Sequence, residues 1–171
     1  MIVRKIIFPV LVLIPLIVVG VGFYSMSKGD IEDIVICATN EESHYIPASI
    51  CEYYLLNYRV TNEDVRFLEG RSGLAFLFEM PDKSKRQALL EHFISKGVSI
   101  DKQSSIDGYT PLHAAIIKND PELVAFLLER GANPNQKDQE HNLTPKEFVD
   151  YLNQRKSSMD RSAVLDALSV Q

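Results

Sequence analysis

Four histidines and two cysteines are the residues of this 171-residue chain best suited to chemistry. His44, His92, His113 and His141 are scattered, and His113 has no second ligand at a metal-like spacing. The acidic pairs Glu41-Glu42 and Glu63-Asp64 read as solvated turns and helix starts rather than paired catalytic acids. No phosphate-cradling glycine loop, Gly-x-Ser-x-Gly elbow or His-Glu-x-x-His helix occurs. The sequence therefore predicts no catalytic residue, no bound metal and no cofactor. Cys37 and Cys51 leave two readings open. In an oxidising compartment they would form a disulfide closing a loop of about 15 residues, worth about 3 kcal/mol in the chain-entropy model. Otherwise they are two buried free thiols.

The elements around His113 explain it better than chemistry does. Asp107-Gly108-Tyr109 reads as a turn in which Gly108 takes positive φ cheaply. Thr110 can cap a helix through its hydroxyl, and Pro111 suits the first helical position, where no N–H is needed. Leu112, Ala115 and Ile116 then recur at helical spacing, and the small Ala114 and Ala115 admit a close neighbour. Asn119 tolerates a left-handed turn, Asp120 can cap, and Pro121 opens a second helix. That helix buries Leu123, Val124, Leu127 and Leu128, and Gly131 ends it.

Taken together, Asp107 to Asn133 resembles one ankyrin repeat nearly end to end. The resemblance implies that His113 is structural and ties neighbouring loops by hydrogen bonds. A lone repeat cannot bury its own faces, so about three stacked units are expected. A backward shift of 34 aligns Leu89 to Ser99 with the second helix, and Gly73 to Glu79 becomes the first helix, without Thr-Pro or His. A forward shift of 34 places Asn142-Leu143-Thr144-Pro145 over the turn and helix start, with Lys146 and Glu147 replacing Leu and His as a water-facing last repeat requires. Ser162 to Leu168 closes that repeat. Upstream, Pro47 to Tyr58 and Asn62 to Leu68 read as helices of a degenerate repeat or an N-terminal cap, with Asn62 as a possible capping residue. The expected fold is an all-α ankyrin-repeat solenoid with an N-terminal helical cap, preceded by one transmembrane or signal helix.

Arg4 and Lys5 precede Ile6 to Tyr24, a run of 19 uncharged residues. As a helix this spans about 28 Å, close to a bilayer core of about 30 Å. The flanking charges (Arg4 and Lys5 before, Asp30, Glu32 and Asp33 after) predict a cytoplasmic N-terminus and export of the remainder. The run serves either as an uncleaved anchor in the inner membrane or as a signal peptide cut near Gly20-Val21-Gly22 or Ser25-Met26-Ser27, which would leave the protein in the periplasm. The domain reading is residues 1–5 as the cytoplasmic n-region and 6–24 as the signal segment. Residues 25–72 form linker and helical cap, and 73–168 the repeats.

From Lys28 onward, with Arg4 and Lys5 set aside, 16 Lys and Arg face 23 Asp and Glu, a net of −7. Such a surface argues against nucleic acid and against lying on an anionic membrane. In ankyrin proteins partners meet the loop tips and the first-helix face. Carried over by position, the candidates are Lys102, Gln103, Ile106, Asp107 and Tyr109 in one finger, Lys137, Glu140, His141 and Leu143 in the next, and Lys118 between them. Tyr109 is the preferred anchor, since tyrosine supplies contact area at low entropic cost. The resemblance extends to small exported bacterial ankyrin proteins that act as immunity proteins, covering a toxin's active site stoichiometrically. The alternatives are a periplasmic accessory factor supporting a resident enzyme such as a catalase, a eukaryotic membrane scaffold glycosylated at the Asn142-Leu143-Thr144 sequon and, from another class, an enzyme.

Overall fold

Short side chains that accept a hydrogen bond start five of the helices of this protein. In the computed structural model, which describes residues 20–39, 46–155 and 159–169 together with Ile17, five α-helices open on a Thr or Asp. The chain divides into two units, Met1–Arg59 and Val60–Gln171.

In the second unit, Thr61 caps α3 (Asn62–Glu69), Asp82 caps α4 (Lys83–Ser95) and Thr110 caps α5 (Pro111–Ile117). Asp120 caps α6 (Pro121–Glu129) and Thr144 caps α7 (Pro145–Gln154). In each case the side-chain oxygen accepts the backbone N–H three residues on, satisfying a donor that has no partner inside the helix. α8 (Ser162–Ser169) closes the unit. Left-handed residues stop or turn the chain: Asn119 has φ 53°, Gly131 φ 93° and Asn142 φ 56°. Gly108 has φ 74°, and a Cβ there would stand 3.0 Å from the Cβ of Gln139 in the next finger, so both backbone and space favour glycine.

Two rows of helices stack behind these turns. The inner row runs from the segment Gly73–Glu79 through α5 to α7, and the outer row holds α4, α6 and α8. Leu74, Leu77 and Phe78 from the first repeat are buried in the core, as are Leu112, Ala115 and Ile116 from the second and Phe148 and Val149 from the third. Leu89, Leu90 and Phe93, then Leu123, Val124 and Leu127, then Val164 contribute from the outer row. Burying each large side chain contributes about 1.5–3 kcal/mol, and this continuous core is what a single repeat lacks.

Two expectations change. The helix start read at Asn62 belongs to Thr61, whose hydroxyl accepts from Asp64 N while the Asp64 carboxylate accepts from Thr61 N at 2.9 Å. The reciprocal pair makes Thr61 the better cap, because each group satisfies the other's orphan donor. The first helix of the first repeat, Gly73–Glu79, is a 3-10 helix. Its flanking Ser72 makes no side-chain cap, Gly73 has φ 58°, and Pro81 follows closely. With no Thr-Pro start to set the first turn, the segment closes on tighter i→i+3 bonds such as Ala75 N–H to Ser72 O at 3.2 Å.

In the first unit, residues 20–28 are helical, followed by α1 (Ile31–Thr39) and α2 (Ala48–Tyr58). The sequence pattern had not suggested α1. Its Ile31, Ile34, Val35 and Ala38 are buried, and α1 packs on α2. Cys37 on α1 and Cys51 on α2 stand with Cα atoms 5.8 Å apart and sulfurs at bonding distance. Among the described residues no helix is long and apolar enough to cross a membrane. Most of the Ile6–Tyr24 run lies outside those residues.

Candidate binding surface

His113 lies at the centre of the loop-tip region and is itself fully buried. Its Nε2 is 3.0 Å from the carbonyl oxygen of Leu143 in the next finger. A carbonyl only accepts, so Nε2 carries the proton and Nδ1 accepts from the Thr110 hydroxyl at 2.7 Å. The same hydroxyl oxygen caps α5 by accepting His113 N. Burial pushes the imidazole below its ordinary value; the Leu143 carbonyl and the Asp138 carboxylate, 3.8 Å from Nε2, partly oppose that. The ring is therefore a neutral two-ended tie, out of reach of any substrate.

Asp138 organises the finger that His113 reaches. Its two oxygens accept the N–H groups of His141 at 2.5 Å and Leu143 at 3.0 Å. Burial acts to raise this carboxyl, but the two N–H bonds and the nearby His113 outweigh it and hold the acid below its usual range. The finger is thus wound around one buried carboxylate. Neighbouring fingers are sewn together in the same manner. Gln139 N donates to Gly108 O at 2.9 Å, Gln103 Nε2 to Lys137 O at 2.7 Å, and Asn133 N to Asp101 Oδ1 at 2.9 Å.

Against this frame sits a cluster of rings. Tyr109 lies parallel to His141, with centroids 6.0 Å apart and planes 6° apart, and 5.3 Å from Phe148. His141 in turn meets Tyr151 at 4.6 Å. Phe148 and Tyr151 stand three apart on α7, so one helix face supplies both rings. Burial, then the charges of Glu140, Asp138 and Asp107, raise the Tyr109 phenol above its ordinary value.

The ten candidate residues divide into two groups. Lys102, Ile106, Asp107, Lys118, Lys137 and Glu140 are exposed, Ile106 to 70%. Gln103, Tyr109, His141 and Leu143 are half-buried and engaged in holding the fingers: Gln103 through its amide, Leu143 through its carbonyl, and the two rings through stacking. Lys118 stands at the end of α5 and donates to Glu79 at 2.8 Å. Among the described residues no group of three or more His, Cys, Asp or Glu could hold a metal ion.

Sequence reasoning missed a second set of contacts, on the outer row. Arg86 donates to Asp120 at 2.7 Å with both side chains largely buried, and Asp120 also caps α6. Lys83 pairs with Glu122, and Arg130 with Glu91, at the same spacing of 39 residues that joins Glu79 to Lys118. Opposite charges 34 and 39 residues apart were a signal available in the sequence.

Comparison with known proteins agrees with this geometry. Residues 107–139 match the family model described as Ankyrin repeat. The chain is similar to ankyrin repeat protein T5 of rabbit fibroma virus, 30% identical over 101 residues, covering 51% of this chain and 20% of that protein. A putative ankyrin repeat protein of Rickettsia bellii is 46% identical over 52 residues, 30% of this chain and 15% of its own. Human ankyrin repeat and SOCS box protein 6 is 29% identical over 79 residues, 46% of this chain and 18% of its own. The match thus spans no more than a fifth of the length of these relatives. Residues 107–139 thus form an ankyrin repeat, and with its helix pairs, capped starts and stitched fingers the chain is similar to ankyrin-repeat proteins over the stretch that these relatives match.

Proposed function

We propose that this protein works by stoichiometric binding of another protein through the tips of its two central fingers. The observation that carries the reading is the combination of exposed Lys102, Ile106, Asp107, Lys137 and Glu140 with loops already held by hydrogen bonds within and between the fingers. Loops ordered in advance lose little entropy on binding, so contacts made at their tips translate into affinity. Tyr109, flanked by carboxylates and showing part of its ring, suits a basic group of the partner.

The partner in this reading is a toxin that acts outside the cytoplasm, and the chain is its immunity protein, held in the inner membrane with the repeats in the periplasm. The uncharged run Ile6–Tyr24 behind Arg4 and Lys5 supports export, and the paired placement of Cys37 and Cys51 suits an oxidising compartment. Anchoring would keep the inhibitor concentrated at the membrane under attack.

The test is affinity capture from the native organism with the full chain tagged after Gln171, beside a bait carrying Ile106→Ala and Tyr109→Ala. Recovery of one secreted toxin by the native bait alone supports the proposal. Equal recovery by both baits places the interface elsewhere. Recovery of a resident enzyme such as a catalase replaces the immunity reading by the accessory one.

A further inference from the structure

The first unit carries an exposed aromatic and aliphatic face that the finger tips do not explain. On α2, Ile50, Tyr53 and Leu56 are exposed, as is Tyr58 at its end. Five of the seven tyrosines fall between residues 24 and 58, directly after the uncharged run.

Three contacts fasten α2 and the residue after it to the end of that run and the residues just beyond it. Phe23 meets Tyr54 edge-on at 5.7 Å. Arg59, just past α2, donates to the carbonyls of Met26 at 3.0 Å and Gly29 at 2.9 Å, where the helix of residues 20–28 stops. Val21 and Tyr24 on that helix are themselves 61% and 66% exposed. Tyr53 and Tyr54 both lie against Tyr58, at 6.1 and 5.6 Å, so the rings form one patch.

We infer that this patch is an interfacial collar: α2 lies in the headgroup region of the bilayer, with Ile50, Tyr53 and Leu56 turned towards lipid and Tyr58 at the edge of the patch. Tyrosine concentrates at membrane interfaces because its ring is apolar while its hydroxyl stays hydrated. The occupant follows from continuity, since the patch is pinned to the residues at which the uncharged run ends. Glu52 on the same helix and Asp30 and Asp33 just past the uncharged run disfavour a strongly anionic surface, so the lipid that fits is zwitterionic. The inference rests on the proposed membrane placement of Ile6–Tyr24.

The chain has no tryptophan, which allows a single-probe test. Full-length protein carrying Tyr53→Trp, and separately Ile50→Trp, is reconstituted into phosphatidylcholine vesicles and washed with carbonate to score anchoring. Quenching by brominated lipids then reports depth. The collar predicts both indoles within about 5–10 Å of the headgroup–acyl boundary, blue-shifted and shielded from acrylamide. Chain that survives the carbonate wash while both indoles stay acrylamide-accessible and lipid-unquenched overturns the collar and leaves the anchor standing. Release by carbonate overturns both.

Discussion

The segment Gly73–Glu79 and helix α5 (Pro111–Ile117) occupy the same place in consecutive repeats, but one is a 3-10 helix and the other a capped α-helix. Their buried surfaces are alike: Leu74, Leu77 and Phe78 on one side, Leu112, Ala115 and Ile116 on the other. What differs is the polar start. Thr110 caps α5 and holds His113, which ties down the next finger, whereas Ser72 caps nothing and no histidine follows it. Apolar burial therefore decides where a segment lies in the stack, and the Thr-Pro-x-His start decides its backbone geometry and its connection to the neighbour.

The strongest way to break that comparison is to empty the core at both places. Leu112→Ala and Leu77→Ala should each lower the free energy of unfolding by about 2–5 kcal/mol, since both side chains are essentially inaccessible. A urea midpoint for Leu77→Ala close to that of the native protein would show that the first repeat is not packed as an equal.

Next comes the bond between the outer helices. Arg86→Met leaves the Asp120 carboxylate without its largely buried partner and should cost about 3 kcal/mol. Asp120→Asn keeps an acceptor for Leu123 N, so adding it to Arg86→Met should recover part of the loss. A double-mutant cycle in denaturant reads the coupling, and strict additivity would mean that the two repeats do not communicate through this pair.

His113→Gln isolates the tie that only the second repeat has. It should cost about 1–3 kcal/mol at pH 7 by stranding the Leu143 carbonyl and the Thr110 hydroxyl. Because burial lowers the imidazole in the folded state, the unfolded chain binds the proton more readily. The native protein should therefore be fully stable above the unfolded value of about 6.5 and lose stability as pH falls from there towards the lower folded value. His92, also lowered by burial and then by Lys96, acts in the same window, so the diagnostic quantity is the part of the pH slope removed by His113→Gln. An unchanged slope would contradict a neutral, buried His113.

The mildest test compares two glycines. Gly73→Ala meets only an ordinary 3.8 Å contact with Lys102 O at φ 58°, and should cost about 1 kcal/mol from the left-handed backbone alone. Gly108→Ala carries the same backbone term plus the 3.0 Å approach to Gln139, and its thermal midpoint should fall further. Equal shifts would indicate that the fingers part to admit the methyl group.

Much of the second repeat was legible because its signals are local. Thr110, Pro111, Asn119, Asp120, Pro121 and Gly131 each dictate the backbone within a few residues of themselves, and all stand where the sequence places them. The first repeat was less legible, since Leu74, Leu77 and Phe78 mark a buried segment without specifying its helical pitch. α1 escaped notice because Ile31–Thr39 lacks a proline start and its first turn carries Glu32 and Asp33, which read as the charged flank of the apolar run before it. Of the candidate surface, the tip positions followed from register alone. That Gln103, Tyr109, His141 and Leu143 hold the fingers could not, because their partners lie about 30 residues away or across a turn.

By itself the sequence determined the capped starts at Thr110 and Asp120 and the left-handed turns at Gly108 and Asn119, all consequences of short-range sterics and hydrogen bonding, while the repeat fold and the structural reading of His113 came with the resemblance to ankyrin repeats. Only the tertiary structure decided which groups meet: Arg86 with Asp120, His113 with Leu143, and Tyr109 with His141 and Phe148. These pairs depend on how far each repeat is offset from the last. That offset is set by the packing of a shared core, a property no single repeat possesses.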